Sequence, residues 1–345
     1  MSAAAVPGQC IVRAKAPLRV SFGGGGTDVP PYPQMRGGLV LCSTIDRWAY
    51  TTVVPRLDDE ISIESLDYSM VSHGQAEQPL EYDGKLDLAK AVVNRFHSQT
   101  RGMKLFLHSD APPGSGLGSS SALVVSLVAA LARYQGMAMT SHEVAELAWQ
   151  VERVDMAIEG GLQDQYAAAF GGFNVVEFTD NGVNVQPLHL SPAVVNELAY
   201  RLILVYTGHA RMSGNIIAQQ VQGYRQEDPK VLAALDAMKI LTLEMKNMLM
   251  RGRLDDFGDL LDAAWESKKR LASGISTPEI EALYEKAKKA GALGGKITGA
   301  GGGGHLLLFC RFDRRHRIRA VVEKMGATVE GFSFEPRGVQ TWEVS

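Results

Sequence analysis

The sequence predicts an α+β protein of two lobes with a cleft between them. At about 150 residues per domain, a chain of 345 residues is expected to form two lobes rather than one small module. Candidate strands and helices alternate irregularly, which favours α+β lobes over a doubly wound parallel sheet. Hydrophobic residues make up 46% of the chain and charged residues 21%, which is typical of a folded globular protein with a sizeable core.

The first part of the chain is predicted to be rich in strands. Apolar and polar residues alternate weakly over residues 10–20, and β-branched and aromatic residues are frequent over 38–54. A short strand is expected at 61–63. The polar stretch 66–84 is expected to form a long loop or an irregular hairpin.

Helices dominate the prediction for the next segment. Helical spacing of apolar residues predicts a helix over 86–97, and alternation predicts a strand over 103–109. Apolar residues surround the helix predicted over 119–134, so it is expected to be buried on most sides. Thr140 begins a capping-box pattern, and an apolar stripe extends the helix that follows to about Ile158.

A predicted hairpin, followed by a change in the sequence pattern, precedes the second lobe. Strands are predicted over 173–178 and 183–188, and Asn181-Gly182 suits the tight turn between them. We therefore expect an N-terminal lobe of residues 1–195 and a C-terminal lobe of residues 196–345.

The second lobe is predicted to begin with a strand and continue with helices. The strand is expected at 201–206, and the helices at 214–225, 229–251, 254–271 and 278–290. A glycine run at 299–304 precedes a strand over 305–309, a helix near 314–324 and one or two final strands.

Composition argues against several kinds of partner. With 35 basic and 38 acidic residues, the net charge of −3 gives no general electrostatic reason to bind nucleic acid or an anionic membrane. The longest apolar run, residues 122–132, is shorter than the ~20 residues of a membrane span, and no secretory signal is recognised at the N-terminus. Cys10, Cys42 and Cys310 fit neither a disulfide framework nor a zinc site, so a reducing cytoplasm is expected.

The segment PPGSGLGSSSA at residues 112–122 predicts an anion-binding loop. Its glycines let the backbone approach a ligand closely, and three serines open a helix whose free N–H groups and positive dipole end attract phosphate. The segment matches neither GxxxxGK[ST] nor GxGxxG. The alternative is an ordinary glycine-rich turn with serine capping. The residues predicted to bind nucleotide are Pro113, Gly114, Ser115, Gly116, Leu117, Gly118, Ser119, Ser120 and Ser121.

Two further glycine clusters lie at residues 23–26 and 299–304. Four consecutive glycines contribute little packing and are entropically costly to order, so both clusters are expected to form walls of a ligand site. Each alone could be a flexible turn. Together with the serine-rich loop they point to nucleotide phosphates, and Gly301 is included among the nucleotide-binding residues.

Three segments resemble the three motifs of the GHMP small-molecule kinases, in the family's order. They are APLRVSFGGGGTD (16–28), PPGSGLGSSSA (112–122) and KITGAGGGG (296–304). Within that superfamily, five strings look most like the D-glycero-D-manno-heptose 7-phosphate kinases: FGGGGTDVPPYP, STIDRWAY, EGGLQDQYAAAFGGFN, YTGHARMSGNII and GISTPEIEALYEKAKKAGALGGK.

The resemblance implies a fold and a reaction. GHMP kinases have a two-lobe α+β fold with the active site between the lobes, and they transfer the γ-phosphate of ATP to a hydroxyl group. For this subgroup the resemblance implies transfer to the anomeric hydroxyl of a sugar phosphate, giving heptose 1,7-bisphosphate. That product feeds nucleotide-activated heptose for bacterial surface polysaccharide. A homodimer is a further expectation.

The resemblance also implies catalytic residues. Asp164 in GGLQDQ matches the aspartate that is the candidate base in galactokinase-like members. It could instead cap the helix that follows. Arg19 in APLRV matches the basic residue directed towards that base, where its charge is expected to stabilise the ionised Asp164, although an arginine in a strand can pair with any nearby carboxylate.

A magnesium site is implied in the same way. Glu152 in VERVD matches the family's metal-ligand glutamate, and Ser119 or Ser120 is expected to supply the second oxygen ligand. Glu152 could also be a solvated helix residue paired with Arg153. Asp155 and Glu159 are weaker candidates.

Sugar binding is assigned to the first motif and to residues near the base. Asp28 matches a sugar-hydroxyl ligand, with loop capping as the alternative. The other residues predicted to bind substrate are Gly25, Thr27, Gln163 and Arg211. Lys268, Lys269 and Arg270 could hold the substrate's own phosphate, but each is more readily explained as a solvated surface charge.

Glycines 23–26 stand where galactokinase-like sequences carry bulkier and charged residues, so galactose recognition cannot be carried over to this chain. Two alternatives to a heptose phosphate kinase remain at this point. One is a related free-sugar kinase, fucokinase-like or galactokinase-like. The other is a non-enzymatic regulator that binds nucleotide or sugar on the same fold.

Overall fold

The computed structural model describes residues 10–97, 101–208 and 214–344, and two β-sheets organise them. The strands are β1 (Ile11–Gly23), β2 (Gly38–Pro55), β3 (Glu60–Ser65), β4 (Met70–Gln75), β5 (Met103–Ser109), β6 (Phe173–Thr179), β7 (Gly182–Pro187), β8 (Leu202–Tyr206), β9 (Ala292–Ile297), β10 (His305–Cys310), β11 (Thr328–Glu330) and β12 (Gln340–Val344).

Helices cover these sheets. They are α1 (Tyr32–Arg36), α2 (Asp87–Arg95), α3 (Ser119–Tyr134), α4 (Ser141–Gln150), α5 (Gln163–Phe170), α6 (Pro192–Arg201), α7 (Gly214–Arg225), α8 (Pro229–Met250), α9 (Leu254–Lys269), α10 (Pro278–Ala290) and α11 (Arg315–Lys324). Among the described residues, no helix is long and apolar enough to cross a membrane.

The long strand β2 connects the parts of the larger sheet, whose main order is β12-β1-β2-β5-β3-β4. Its first half, from Gly38 to Ser43, pairs with β6, and its second half, from Ala49 to Pro55, pairs with β5. The pairing of β3 with β5 is parallel. The smaller sheet has the antiparallel order β11-β8-β10-β9.

The strands of the larger sheet precede residue 196, the predicted lobe boundary, and the strands of the smaller sheet follow it, with one exception. β12 returns from the C-terminus to pair with β1, so Val344 lies opposite Ile11. The fold is the expected α+β arrangement of two lobes, whereas the assignment of every residue after 196 to the second lobe stays a prediction.

The helix α3 is the central helix of the larger lobe, and it contacts β1, β2, α4 and α5. Apolar residues on every side of it, from Ala122 to Ala132, are buried. This burial agrees with the prediction from its composition. The packing fixes the N-terminus of α3, which begins at Ser119 directly after the glycine-rich loop.

An aromatic cluster joins the lobes. Phe257 of α9 contacts Phe22 of β1 and Phe309 of β10 edge-on, with ring centroids 5.6 and 5.7 Å away. Phe22 also stacks on Phe173, which packs against Phe334. One continuous hydrophobic core contains residues of both sheets, so the two lobes are packed against each other at this cluster.

Several elements differ from the sequence prediction. The stretch 66–84 contains the regular strand β4, whose partly exposed residues lack a clear apolar period. The helix predicted to reach Ile158 leaves α-helical geometry after Gln150 and continues as a π-helical turn, Val151–Asp155. The helices α1 and α6 were not predicted.

The strand β9 was also missed, because Gly294 and Gly295 lower its β-propensity. These glycines are required by packing. A Cβ at Gly294 would lie 2.1 Å from the carbonyl oxygen of Gly258 in α9, so only glycine allows this close approach of helix and strand.

Replacing Phe257 by alanine is expected to lower the free energy of unfolding by about 3–5 kcal/mol, because the aromatic contacts that link the lobes are lost and a cavity remains. Urea unfolding followed by circular dichroism measures the change. Phe312, which is 65% exposed, is the matched control, and Phe312→Ala should stay within about 0.5 kcal/mol of the parent. Equal effects of the two substitutions would contradict this account of the core.

Candidate active site

A cleft of about 480 Å³ brings the three glycine-rich segments together. This volume lies within the usual range of small-molecule sites, about 300–1,000 Å³. The sequence-predicted residues that line it are Arg19, Gly25, Asp28, Pro113, Gly114, Gly116, Gly118, Ser119, Ser120, Ser121, Glu152, Gln163, Asp164 and Gly301. We call the three segments the first (residues 23–28), second (112–118) and third (299–304) glycine loops.

Three predicted residues lie behind the wall of the cleft. Thr27 is fully buried, and its hydroxyl bonds to the carbonyl oxygens of Gly24 and Leu39 at 2.7 and 3.0 Å. Ser115 and Leu117 are also buried and act through their backbone carbonyls, which accept bonds from His305 and Arg19 respectively. These three residues therefore shape the loops instead of lining the cleft. Arg211 lies outside the described residues.

The second glycine loop needs glycine for its backbone shape. Gly114, Gly116 and Gly118 have φ angles of 74°, 80° and 76°, which are unfavourable for other residues. A Cβ at Gly116 would lie 2.5 Å from the carbonyl oxygen of Thr298. The second and third glycine loops are thus packed backbone to backbone.

The N-terminus of α3 has no side-chain cap. Its cap residue is Gly118, and the Ser119 hydroxyl contacts the carbonyl oxygen of Pro112 at 3.3 Å rather than a helical N–H group. The first N–H groups of the helix therefore have no side-chain cap as acceptor, and they lie at the positive end of the helix dipole. Since Ser119 and Ser120 line the cleft, this end of the helix can bind an anion there.

Arg19 connects β1, the second glycine loop and α5. Its guanidinium donates from Nε to Asp164 Oδ1 at 2.8 Å, lies 2.6 Å from the same oxygen through Nη2, and donates to the Gly116 carbonyl at 2.6 Å. Arg19 is 3% exposed, whereas the Asp164 side chain is 22% exposed. These bonds use only Oδ1 of Asp164, so Oδ2 is available to a ligand in the cleft.

The alternative that Asp164 caps α5 finds no support. Asp164 lies in the first turn of that helix, and the helix has no side-chain cap. The arrangement instead places a partly exposed carboxylate beside the uncapped start of α3, where a Cβ at Gly118 would lie 3.4 Å from Asp164 Cγ.

Glu152 lies in the π-helical turn and is buried. Its Oε2 accepts from the Ser121 hydroxyl at 2.8 Å and from Gln165 Nε2. Arg153 Nη2 lies 3.9 Å from the same oxygen. The serine that contacts Glu152 is Ser121, and the assignment of Ser119 or Ser120 as the second metal ligand stays a prediction. Burial is the main cause that raises the pKa of Glu152.

A divalent cation fits this donor set. Glu152 Oε1 takes no part in the bonds described, and hydroxyls of the serines that open α3 line the same cleft. No group of three or more His, Cys, Asp or Glu side chains suited to a metal occurs among the described residues, so a cation here would need further oxygen ligands from a substrate. Asp155 pairs with Arg95 on the surface, whereas Glu159 lines the cleft.

Asp28 is a structural anchor of the first glycine loop. Its Oδ1 accepts from the Gly26 N–H group at 2.9 Å, and its Oδ2 accepts from the backbone and side-chain N–H groups of Gln163, each at 3.1 Å. These contacts are the ones expected from the alternative in which Asp28 caps its own loop. Gln163 Oε1 is buried without a partner in the described part of the chain, which makes it the better placed acceptor for a substrate hydroxyl.

Lys268 is a site residue that the sequence reasoning treated as a surface charge. It lines the cleft, is 4% exposed, and donates from Nζ to the Gly299 carbonyl. Burial, aided by the charge of Arg19, lowers the pKa of Lys268 to about 8. The available signal was the apolar stripe of α9, because residues 254, 257, 261, 265 and 268 share the buried face.

Lys296 is a second buried lysine, 2% exposed, in β9. Burial lowers its pKa well below the usual range, and the charges of Lys268 and Arg19 add to this effect. Arg19 and Lys268 line the cleft, and Lys296 is near enough for their charges to act on it.

Comparison with known proteins gives matches to both lobes. The family model described as GHMP kinases N terminal domain matches residues 87–172, and that described as GHMP kinases C terminal matches residues 245–329. The D-glycero-alpha-D-manno-heptose 7-phosphate kinase of Campylobacter jejuni is 36% identical over 338 residues, which cover 96% of this chain and 99% of that protein.

Solved structures agree with this assignment. The crystal structure of a D-glycero-D-manno-heptose 1-phosphate kinase from Bacteroides thetaiotaomicron has a TM-score of 0.82 at 32% identity, covering 97% of this chain and 99% of that one. The Lactococcus lactis galactokinase complexed with galactose has a TM-score of 0.77 at 20% identity, covering 96% and 95% of the two chains, which indicates a shared fold. With two family models matched and a relative 36% identical along nearly its whole length, the chain belongs to the GHMP kinases.

Proposed function

We propose that this GHMP kinase transfers the γ-phosphate of ATP to the anomeric hydroxyl of D-glycero-D-manno-heptose 7-phosphate. ATP is the phosphate donor of the family. The Campylobacter jejuni relative is named for the 7-phosphate and the Bacteroides thetaiotaomicron structure for the 1-phosphate, so the two names differ in the acceptor. The 7-phosphate is preferred because the relative named for it has the higher identity. A role in surface polysaccharide synthesis and assembly as a homodimer stay predictions.

The observation that carries the proposal is the Arg19–Asp164 pair beside the uncapped start of α3. Phosphoryl transfer requires positioning, charge stabilisation and a group that accepts the hydroxyl proton. The N–H groups at the start of α3 provide anion binding, Arg19 provides a fixed positive charge, and Asp164 provides a carboxylate oxygen that faces the same space. This combination fits a kinase better than a regulator that only binds ligands.

Asp164 acts as the base in this proposal. Its Oδ2 accepts the proton of the acceptor hydroxyl while that oxygen forms a bond to the γ-phosphorus, and the bond from the γ-phosphorus to the bridging oxygen of ADP breaks. Arg19 holds Asp164 through Oδ1, so the other oxygen remains oriented to the acceptor.

Mg²⁺ is the proposed metal, held by Glu152 and a serine hydroxyl at the start of α3. When bound, it would offset the negative charge of the β- and γ-phosphates. Ser121 already contacts Glu152, and Ser119 and Ser120 line the cleft. Burial alone favours the protonated form of Glu152, so a cation beside it would favour ionisation.

Substrate range is tested by a coupled assay of ADP release. The proposal predicts a higher kcat/KM with heptose 7-phosphate than with heptose 1-phosphate, six-carbon sugar phosphates, free galactose or free fucose. The phosphorus NMR spectrum of the product should show a new anomeric phosphate. Equal rates with galactose or fucose would favour a free-sugar kinase, and no ADP release with any acceptor would favour a binding regulator.

Asp164→Asn is expected to lower kcat by roughly 10²- to 10⁴-fold, because an amide cannot accept the hydroxyl proton. Nucleotide binding, measured by calorimetry, should persist. Asp155→Asn is the matched control, since Asp155 pairs with Arg95 at the surface. Full turnover by Asp164→Asn would show that Asp164 is not the base.

Glu152→Gln is expected to raise the Mg²⁺ concentration needed for half-maximal activity by roughly tenfold or more, because a neutral amide replaces a charged oxygen ligand. Glutamine keeps an acceptor for Ser121, so the fold should survive. The comparison variant is Glu159→Gln. If only the latter shifts the Mg²⁺ dependence, Glu159 is the ligand and the assignment of Glu152 is wrong.

A further inference from the structure

Three hydrogen-bond donors surround the missing side chain of Gly25. A Cβ at this position would lie 3.5 Å from Gln163 Nε2, 3.6 Å from Ser21 Oγ and 3.9 Å from Lys268 Nζ. The φ angle of Gly25 lies outside the left-handed region, so the backbone does not require glycine here. The lack of a side chain leaves a small recess lined by an amide, a hydroxyl and an ammonium group.

The donors around this recess have fewer acceptors than they can use. Ser21 is 2% exposed, and its hydroxyl has no hydrogen-bond partner among the residues that the structure describes. The one hydrogen bond that Lys268 makes within the described residues is to the Gly299 carbonyl, and no carboxylate there lies within ion-pair distance of it. A buried polar group without a partner is costly, and a buried charge without a counter-charge is more so.

Among the described residues no carboxylate pairs directly with Lys268, although the charge of Asp28 acts on it at longer range. Asp164 is paired with Arg19, and both oxygens of Asp28 accept bonds from Gly26 and Gln163. Within the described part of the chain, the recess therefore has a buried hydroxyl without a partner and a buried ammonium group without an ion pair, and donors of this kind suit a phosphate monoester.

We propose that Ser21, Gln163 and Lys268 form a subsite for the phosphate group that the sugar acceptor already carries. This inference rests on the proposed function. The recess lies at the first glycine loop, whereas the transferred phosphate is assigned to the start of α3. An acceptor without a phosphate would leave these buried donors unpaired, so the subsite selects sugar phosphates over free sugars.

The test is the ratio of kcat/KM for heptose 7-phosphate to kcat/KM for unphosphorylated heptose. Lys268→Met is expected to lower this ratio by roughly 10- to 100-fold, because a charge-assisted bond to the phosphate is lost. Lys269→Met is the matched control and should keep the wild-type ratio. Lys269 is the next residue in α9, and its ammonium pairs with Glu266 and Glu281 on the surface.

A second variant addresses the recess itself. Gly25→Ala places a methyl group at ordinary contact distances from its neighbours, so it should fold, as thermal unfolding can verify. It should lower the same ratio by filling the recess. If Lys268→Met does not fold, this variant decides the question.

The proposal would be overturned if Lys268→Met lowered kcat for both acceptors and left the ratio unchanged, because Lys268 would then contact the transferred phosphate. Unchanged kinetics in both variants would overturn it as well. If the wild-type enzyme phosphorylates neither acceptor, the proposed function fails. The subsite is then decided by calorimetry with heptose 7-phosphate, whose Kd should rise at least tenfold in Lys268→Met.

Discussion

The buried guanidinium of Arg19 is the interaction on which the rest of the site depends. It reaches Asp164 from β1 across 145 residues of sequence, and it also binds the Gly116 carbonyl of the second glycine loop. One side chain therefore sets the distance between the proposed base and the loop that precedes α3. Removing it would leave the Asp164 carboxylate without its counter-charge, which is more costly than the loss of a surface ion pair.

The balance of charge in the cleft explains which ligands it suits. Arg19 is neutralised by Asp164, but Lys268 has no carboxylate partner among the described residues, and Lys296 lies beside it. Burial lowers the pKa of Lys268 to about 8, so its ammonium form is only weakly favoured until an anion arrives. Glu152 is the opposite case, because burial raises its pKa and a cation would favour its ionised form. Both kinds of group suit the proposed binding of phosphates together with a metal ion.

Local sequence patterns predicted the elements that follow a simple hydrophobic period, and family resemblance predicted most of the residues that line the cleft. The burial of α3 followed from its composition, whereas β9 was hidden by the glycines that let α9 approach it. The pairing of Arg19 with Asp164 depends on tertiary packing and could be anticipated only through the resemblance. Ser121 contacts Glu152 because of the rotation of α3 about its axis, which the sequence does not specify. Lys268 was assigned to the surface because its charge was given more weight than its place on the apolar face of α9.

The proposed reaction requires that the N–H groups at the start of α3 bind the phosphates of ATP beside Asp164. A crystal structure with Mg²⁺ and a non-hydrolysable ATP analogue would reveal where these phosphates lie. We expect the β- and γ-phosphates to accept hydrogen bonds from the second glycine loop and the first turn of α3, with the γ-phosphate next to Arg19. An analogue bound elsewhere in the chain, with this loop and helix end free of phosphate, would contradict it.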